Sequence, residues 1–505
     1  MFAIVFVRLA FLLLIFYIVL YPLYVYLKDP KKLKKYPGPP IASVTDAWGV
    51  LHQYFHTRTA AVHQAHLKYG RVVRVGTKHL SFASVEAIRD IYGHGTPVTK
   101  DNFYRASMST HLNVSDAQEK SIHNIKRKRF AAAFAQKRIV HTEDVVAGLL
   151  GRVVALLDSK LGTEVDMKKV MLHLMYNYIS ITMYAQDPRF IENESTVTTA
   201  ETPQGELYET DMYQSMIHSA RVNTSVGWAP ASIKMIKFLT QWHPGWTRGQ
   251  GLRDVTIHLV RNRLRMDQEA IRRGEKPLDD LFTTMLFDRN GEPLGLELGE
   301  LVSEAANMFN AAGENTEIAI TNAIWLLSKH PDVVTKLRRE LDGVFDYKTT
   351  AVPRYDAVKD LPYLRACIDE SLRLRPSIEG GLPRRIPEPG MAVAGEWLQG
   401  GLTVSVSTRT IHRDPTVFGD RPEEYIPERW LRPNASSMQR GFLAFSQGGR
   451  ACIGRNIAYF EMTLTIATLF ARYDFSLPSP DWELGIDENF SAHTRALPVK
   501  VERRK

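Results

Sequence analysis

Phe445-Ser446-Gln447-Gly448-Gly449-Arg450-Ala451-Cys452-Ile453-Gly454 runs directly into an apolar helical pattern from Arg455 to Ala471, and no other stretch limits the fold as strongly. At background residue frequencies, a match of Phe, Gly, Arg, Cys and Gly at fixed spacing arises by chance with a probability on the order of 10⁻⁴. Cys452 stands just before the helix. There the positive end of the helix dipole and free backbone N–H groups favour a thiolate over a thiol. Gly448 and Gly454 let the backbone approach something flat and bulky, Phe445 can shield the sulfur, and Arg450 can pair with an anion. A lone cysteine more often packs as a small hydrophobe. The residues flanking Cys452 argue against that fate.

Composition narrows the classes further. With 505 residues, 44% of them hydrophobic, the chain is neither disordered nor in need of disulfide or metal staples. Two cysteines, Cys367 and Cys452, exclude a disulfide framework and point to a reducing compartment or a thiol kept for chemistry. The net charge of +9 is spread thinly over the chain and is no nucleic-acid signature, so no nucleic-acid partner is expected.

Nineteen uncharged residues run from Leu9 to Leu27, followed by Lys28, Lys31, Lys32, Lys34 and Lys35. As a helix rising about 1.5 Å per residue this run nearly matches a hydrocarbon core of about 30 Å. It is too long for a signal peptide and no small-residue cleavage site follows it. An N-terminal transmembrane anchor over residues 1–27 is therefore expected, with the lysine side and the rest of the chain in the cytoplasm. A basic stretch and proline-rich hinge over 28–40 follows, in which Tyr36-Pro37-Gly38-Pro39-Pro40 favours a stiff extended spacer. Residues 41–505 carry no linker or repeat and read as one domain, mainly α with small β-sheets. Arg71 to Val75 and Leu402 to Ser407 are strand candidates, and Leu296 to Lys329 reads as one long helix closed by His330-Pro331.

The cysteine tract resembles the haem-thiolate loop of the cytochrome P-450 superfamily, and further motifs fall in that family's order. Glu370-Ser-Leu-Arg373 and Pro427-Glu-Arg429-Trp430 resemble its structural triad. His123-Asn-Ile-Lys-Arg127 is similar to the helix over the haem, and Arg384 follows Pro383 at another propionate position. Ala312-Gly313-Glu314-Asn315-Thr316 resembles the oxygen-groove motif of the long helix. Gly313, about 1 kcal/mol less favourable than Ala in a helix interior, would open the groove. Thr316 would bond iron-bound oxygen and pass protons to it. Asn315 departs from the acidic residue of the pattern and cannot relay a proton as a carboxylate does, although Glu314 and Glu317 flank it.

The resemblance implies a cytochrome P-450 fold preceded by one transmembrane helix, with haem b (iron protoporphyrin IX) held through Cys452 and cradled by Arg450, Phe445, Gly448, Gly454, His123, Arg127 and Arg384. It implies a membrane-anchored monooxygenase of the endoplasmic reticulum, acting with O2 on a hydrophobic small molecule and fed by an NADPH-cytochrome P-450 reductase. Thr408 to Pro415, Glu423 to Trp430 and Gly454 to Tyr459 are similar to filamentous-fungal microsomal members, of secondary-metabolite biosynthesis or aromatic hydroxylation. Arg450 and Arg455 would face the reductase. Phe103, Tyr104, Met108, Phe309, Asn310, Ile378 and Phe490 are the pocket candidates. Asn315 keeps open a reductase-independent isomerase or dehydratase, and a non-catalytic membrane haemoprotein is the remaining alternative.

Overall fold

The structure is a computed structural model, and it describes residues 20–108, 111–131, 133–276, 278, 280–288 and 290–504. Most of the expected membrane anchor, residues 1–19, lies outside the described residues. Among the described residues no helix is long and apolar enough to cross a membrane. The end of the apolar run is visible as helix α1, Tyr21–Lys28.

The proline-rich segment, expected as a stiff extended spacer, is docked on the body. Leu33 and Tyr36 are buried in the core of a sheet, and Arg74 donates its backbone N–H to the Pro37 carbonyl at 2.8 Å. A Cβ on Gly38 would lie 2.1 Å from the Arg74 carbonyl oxygen, so only glycine permits this docking. Pro40 then opens a short helix, Pro40–Val44, because its fixed φ suits a first helical turn.

Helix α2 (Arg58–Tyr69) leads into a sheet of five short strands, β1 (Val72–Arg74), β2 (His79–Phe82), β3 (Thr99–Lys100), β4 (Arg384–Arg385) and β5 (Thr403–Val406), in spatial order β1-β2-β5-β4-β3. The two expected strand segments are β1 and β5. Strand β5 runs parallel to β2, pairing Thr403 with His79, whereas β4 is antiparallel to β5 and to β3. The helical body includes α3 (Lys120–Phe130), α4 (Met167–Tyr184), α5 (Met212–Gly227), α6 (Leu298–Met308), α7 (Asn315–Lys329), α8 (Pro362–Leu374) and α9 (Arg455–Arg472). Helices α4, α7 and α9 are apolar around most of their circumference and bury nearly all of their residues, as helices at a domain centre do.

The long helix follows one path from Leu298 to Lys329 but is not uniform. Between α6 and α7, Phe309–Glu314 forms a π-helical turn, and Pro331 ends the run by starting the next helix. A π turn widens the backbone ring and frees a carbonyl from its usual partner. Gly313 lies in this turn, and a Cβ there would meet the Tyr176 ring at 3.0 Å. The missing side chain is thus filled by an aromatic ring from α4.

Candidate functional site

Cys452 is exposed, whereas Cys367 is buried. The loop before α9 is shaped by backbone bonds: the Cys452 N–H donates to the Phe445 carbonyl at 2.9 Å, and Arg127 reaches from α3 to the Ala451 carbonyl at 2.8 Å. Desolvation by the surrounding loop pushes the thiol up from its ordinary value. The backbone N–H groups of Gly454 and Arg455 and the charges of Arg127 and Arg455 pull it down. The expected thiolate-favouring groups are therefore in place, but desolvation outweighs them. The Phe445 ring packs on Tyr459 at 5.0 Å.

Gly448 has φ +71°, and a Cβ there would lie 2.0 Å from the Tyr92 carbonyl oxygen. Gly448→Ala should accordingly destabilise the protein by at least about 2 kcal/mol, from left-handed strain plus backbone overlap. Thermal melts and haem content per protein check this, and an unchanged melting temperature would dismiss the contact.

Around the loop a set of cations gathers. Lys100 and Arg384 face each other in the β3–β4 register, and Arg384 donates to the Tyr104 hydroxyl at 3.2 Å. Arg450 donates to the carbonyls of Ala117 and Gln118, both at 2.7 Å. It is turned inward and does not form the reductase-facing surface expected of it. Arg455 stays exposed. Burial together with the charges of Arg384 and Arg450 pushes the Lys100 ammonium well below its usual range. Burial lowers Arg450 to about 10 and His123 to about 4, the latter also under the field of Arg450. Like charges directly opposite on neighbouring strands are destabilising unless an anion joins them. The propionates of haem b would supply that anion.

On α7, Thr316 is buried beside Glu461 of α9. Neither Glu461 carboxyl oxygen completes a well-aligned hydrogen bond, although the Thr316 hydroxyl is near enough to moderate its pKa. Burial pushes this carboxyl up from 4.5 to about 8. The folded protein thus keeps a proton that the unfolded chain releases above about pH 4.5, so folding is opposed increasingly up to about pH 8 and by a constant amount beyond. Glu461→Gln should melt about 2 °C or more above wild type at pH 8.5, with the gap closing towards pH 4.5. Parallel melting curves across that range would rule out a protonated Glu461. Glu461 was legible only as a lone carboxylate inside an apolar helical run, and Lys100 gave no signal before strand pairing.

Asn315 is used differently from the family's acid. Its Nδ2 donates to the Ala311 carbonyl at 3.2 Å, its Oδ1 accepts from the Ser491 hydroxyl at 3.0 Å, and its carbonyl accepts from the Ser377 hydroxyl at 2.6 Å. It ties two pocket loops to the long helix. Glu314 turns to His493 Nδ1, 2.5 Å away, and burial pushes its carboxyl well above the usual range. Glu317 accepts from Thr321 at 2.9 Å and is pushed up to about 7 by burial.

Of the pocket candidates, Phe103, Ile378 and Phe490 line one cavity, and Tyr104 packs on Phe490 at 6.2 Å. Phe309 does not join them. It is buried, stacked on Tyr184 at 5.6 Å and edge-on to Tyr176, because the π turn aims it into the core beside α4. Met108 is exposed at 37%. Asn310 sits on the π turn with its Oδ1 buried and without a hydrogen-bond partner.

Behind the loop, Glu370 is bound by Arg373 through two bonds of 2.8 Å, by Arg429 at 2.8 Å and by Trp430 Nε1 at 2.9 Å, all in the dry core. The expected structural triad is thus assembled.

Comparison with known proteins agrees with this geometry. Benzoate 4-monooxygenase bphA of Aspergillus niger is 28% identical, with 97% of this chain and 96% of that protein covered. Cytochrome P450 monooxygenase atr2 of Stereocaulon alpinum is 27% identical, with 93% and 90% covered. Cytochrome P450 monooxygenase BOT4 of Botryotinia fuckeliana is 28% identical, with 88% and 81% covered. The family description of cytochrome P450 matches residues 38–502. A cysteine loop, its ring of cations and the buried triad occur together in a chain that matches the family over nearly its whole length: it belongs to the cytochrome P450 family and is a haem b-dependent oxidoreductase.

Proposed function

We propose that this monooxygenase inserts one oxygen atom of O2 into a hydrophobic small organic molecule, in fungal secondary metabolism or aromatic hydroxylation. The observation that carries the reading is Cys452 beside Arg127 and Arg455, next to a cluster of Lys100, Arg384 and Arg450, an arrangement that suits an iron chelate with anionic edges. When bound, the haem supplies the oxygen-activating chemistry. Cys452 Sγ would hold its iron, and the cations with His123 would hold its carboxylates. The Thr316 hydroxyl and the Glu461 carboxyl hold protons at the helix that faces the site. Asn315 orients the loops carrying Ile378 and Phe490, and these apolar walls exclude water from the substrate.

The bonds of Asn315 to Ala311, Ser491 and Ser377 support a structural part for it alongside the monooxygenase reading. Electrons come from a separate NADPH-dependent flavoprotein reductase on the same membrane, for which exposed Arg455 offers a contact.

Anchoring in the endoplasmic reticulum membrane is supported by surface chemistry. Leu23, Tyr24 and Leu27 of α1 are exposed, and so are Met235, Phe238, Leu239 and Trp242 on and after the helix Ile233–Leu239. Exposed apolar groups of this kind mark a membrane or protein contact. The reading is tested by reconstituting the holoprotein with a fungal reductase, NADPH and O2, and by profiling metabolites of a deletion strain. An accumulating precursor one oxygen atom poorer than the lost product is expected. Product formation without NADPH or reductase would overturn the reading.

A further inference from the structure

Arg58 opens α2 and is 3% exposed. Its Nε–H has no acceptor, and among the described residues it forms no ion pair or hydrogen bond. Its guanidinium instead lies 3.4 Å over the centre of the Trp228 ring. The opposing charge that acts on it is Glu488, whose carboxylate is already engaged by the Thr59 backbone N–H at 2.8 Å and by the Thr59 hydroxyl. A buried charge is normally paired and hydrogen-bonded, because desolvating it otherwise costs several kcal/mol.

A second group of the same kind lies next to it. Asn489 is 3% exposed, and both ends of its side-chain amide lack partners. Arg58 and Asn489 line one cavity of about 20 Å³, whose other walls include Phe103, Ile378, Leu382 and Phe490. The frame is held firmly: Trp228 Nε1 donates to Gln53 at 3.0 Å, and the Gln53 amide donates to the carbonyls of Glu488 and Asn489 at 3.0 and 2.9 Å. The wall residue Ile378 follows Ser377, and Phe490 precedes Ser491, the two serines fastened to Asn315 on the long helix. Two of the cavity's walls are thus next in sequence to the residues fastened to the long helix.

An apolar wall ending in unsatisfied donors matches an amphiphile with a small anionic head. A carboxylate fits a guanidinium fork in its own plane. We infer that the compound oxidised is a carboxylic acid, its carboxylate held by Arg58 and Asn489 and its apolar body laid along Phe103, Ile378 and Phe490.

This inference rests on the proposed monooxygenase reading for the word "oxidised", but binding tests it separately. Benzoate, 4-phenylbutyrate and dodecanoate, each paired with its methyl ester, are titrated calorimetrically into the holoprotein. At least one acid should bind tenfold or more tightly than its ester. Arg58→Gln should bring that ratio to within about twofold of unity, and Arg58→Lys, which keeps the charge, should restore part of it. A wild type that binds no acid better than its ester overturns the inference even if the variants fail to fold. So does an acid preference that survives Arg58→Gln. An acid preference without NADPH-dependent turnover would leave this inference standing and remove the proposed function.

Discussion

Replacing Cys452 by alanine is expected to abolish NADPH-dependent oxygenation, a loss on the order of 10³-fold or more, because the iron ligand and its electron donation disappear together. The reduced, carbon monoxide-bound protein should lose its thiolate-type Soret band. The fold should survive. Cys452 is exposed, and the bonds that shape its loop are made by backbone atoms and by Arg127, none of which the substitution removes. The stability change should therefore stay within about 1 kcal/mol, as for a substitution away from the core. A variant that kept the thiolate band or its turnover would show that another residue holds the iron.

Glu370→Ala should do the reverse, removing the fold and with it every activity. Glu370 and Arg373 are fully buried and Arg429 is nearly so. The carboxylate accepts from Arg373, Arg429, Trp430 and the Ile426 backbone N–H. Deleting it strands two guanidinium groups in the core, and breaking a buried pair from one side costs about 3–5 kcal/mol. Two such losses rival the roughly 5–15 kcal/mol of a whole domain. Expression of Glu370→Ala should yield aggregated, haem-free chain. Soluble holoprotein with a melting temperature close to wild type would mean that the triad contributes little.

These two sites also show how far sequence reading reaches. Cys452 and Gly448 belong to one short motif whose spacing is local, so the loop was legible before any folding, whereas Arg127 was singled out only by the resemblance. Glu370-Ser-Leu-Arg373 shares a helix face by periodicity alone, but its partnership with Arg429 came from resemblance and is now seen as direct bonds. Other expectations failed where a neighbour from far along the chain decided the outcome. Phe309 looked like a pocket residue from its place one turn before Gly313, yet the π turn swings it against Tyr184. Arg450, expected in the haem cradle and also towards the reductase, is drawn away from the second of these by the carbonyls of Ala117 and Gln118. Asn315 departs from the acidic residue of the pattern, and only the tertiary structure shows it bonded to two serines from separate loops.

The amino-acid order alone determined the cysteine loop before α9, the long helical run up to Lys329, and the ion-pairing residue types at Glu370 and Arg373. These depend on residues within a few positions of one another, where helical periodicity and turn chemistry fix geometry locally. Only the tertiary structure decided that Lys100 opposes Arg384, that Glu461 lies beside Thr316, and that Arg58 reaches a cavity wall shared with Phe490. Each of those pairings joins segments distant in sequence, and burial, which sets their charge and proton affinity, is a property of the packed whole and not of any one stretch.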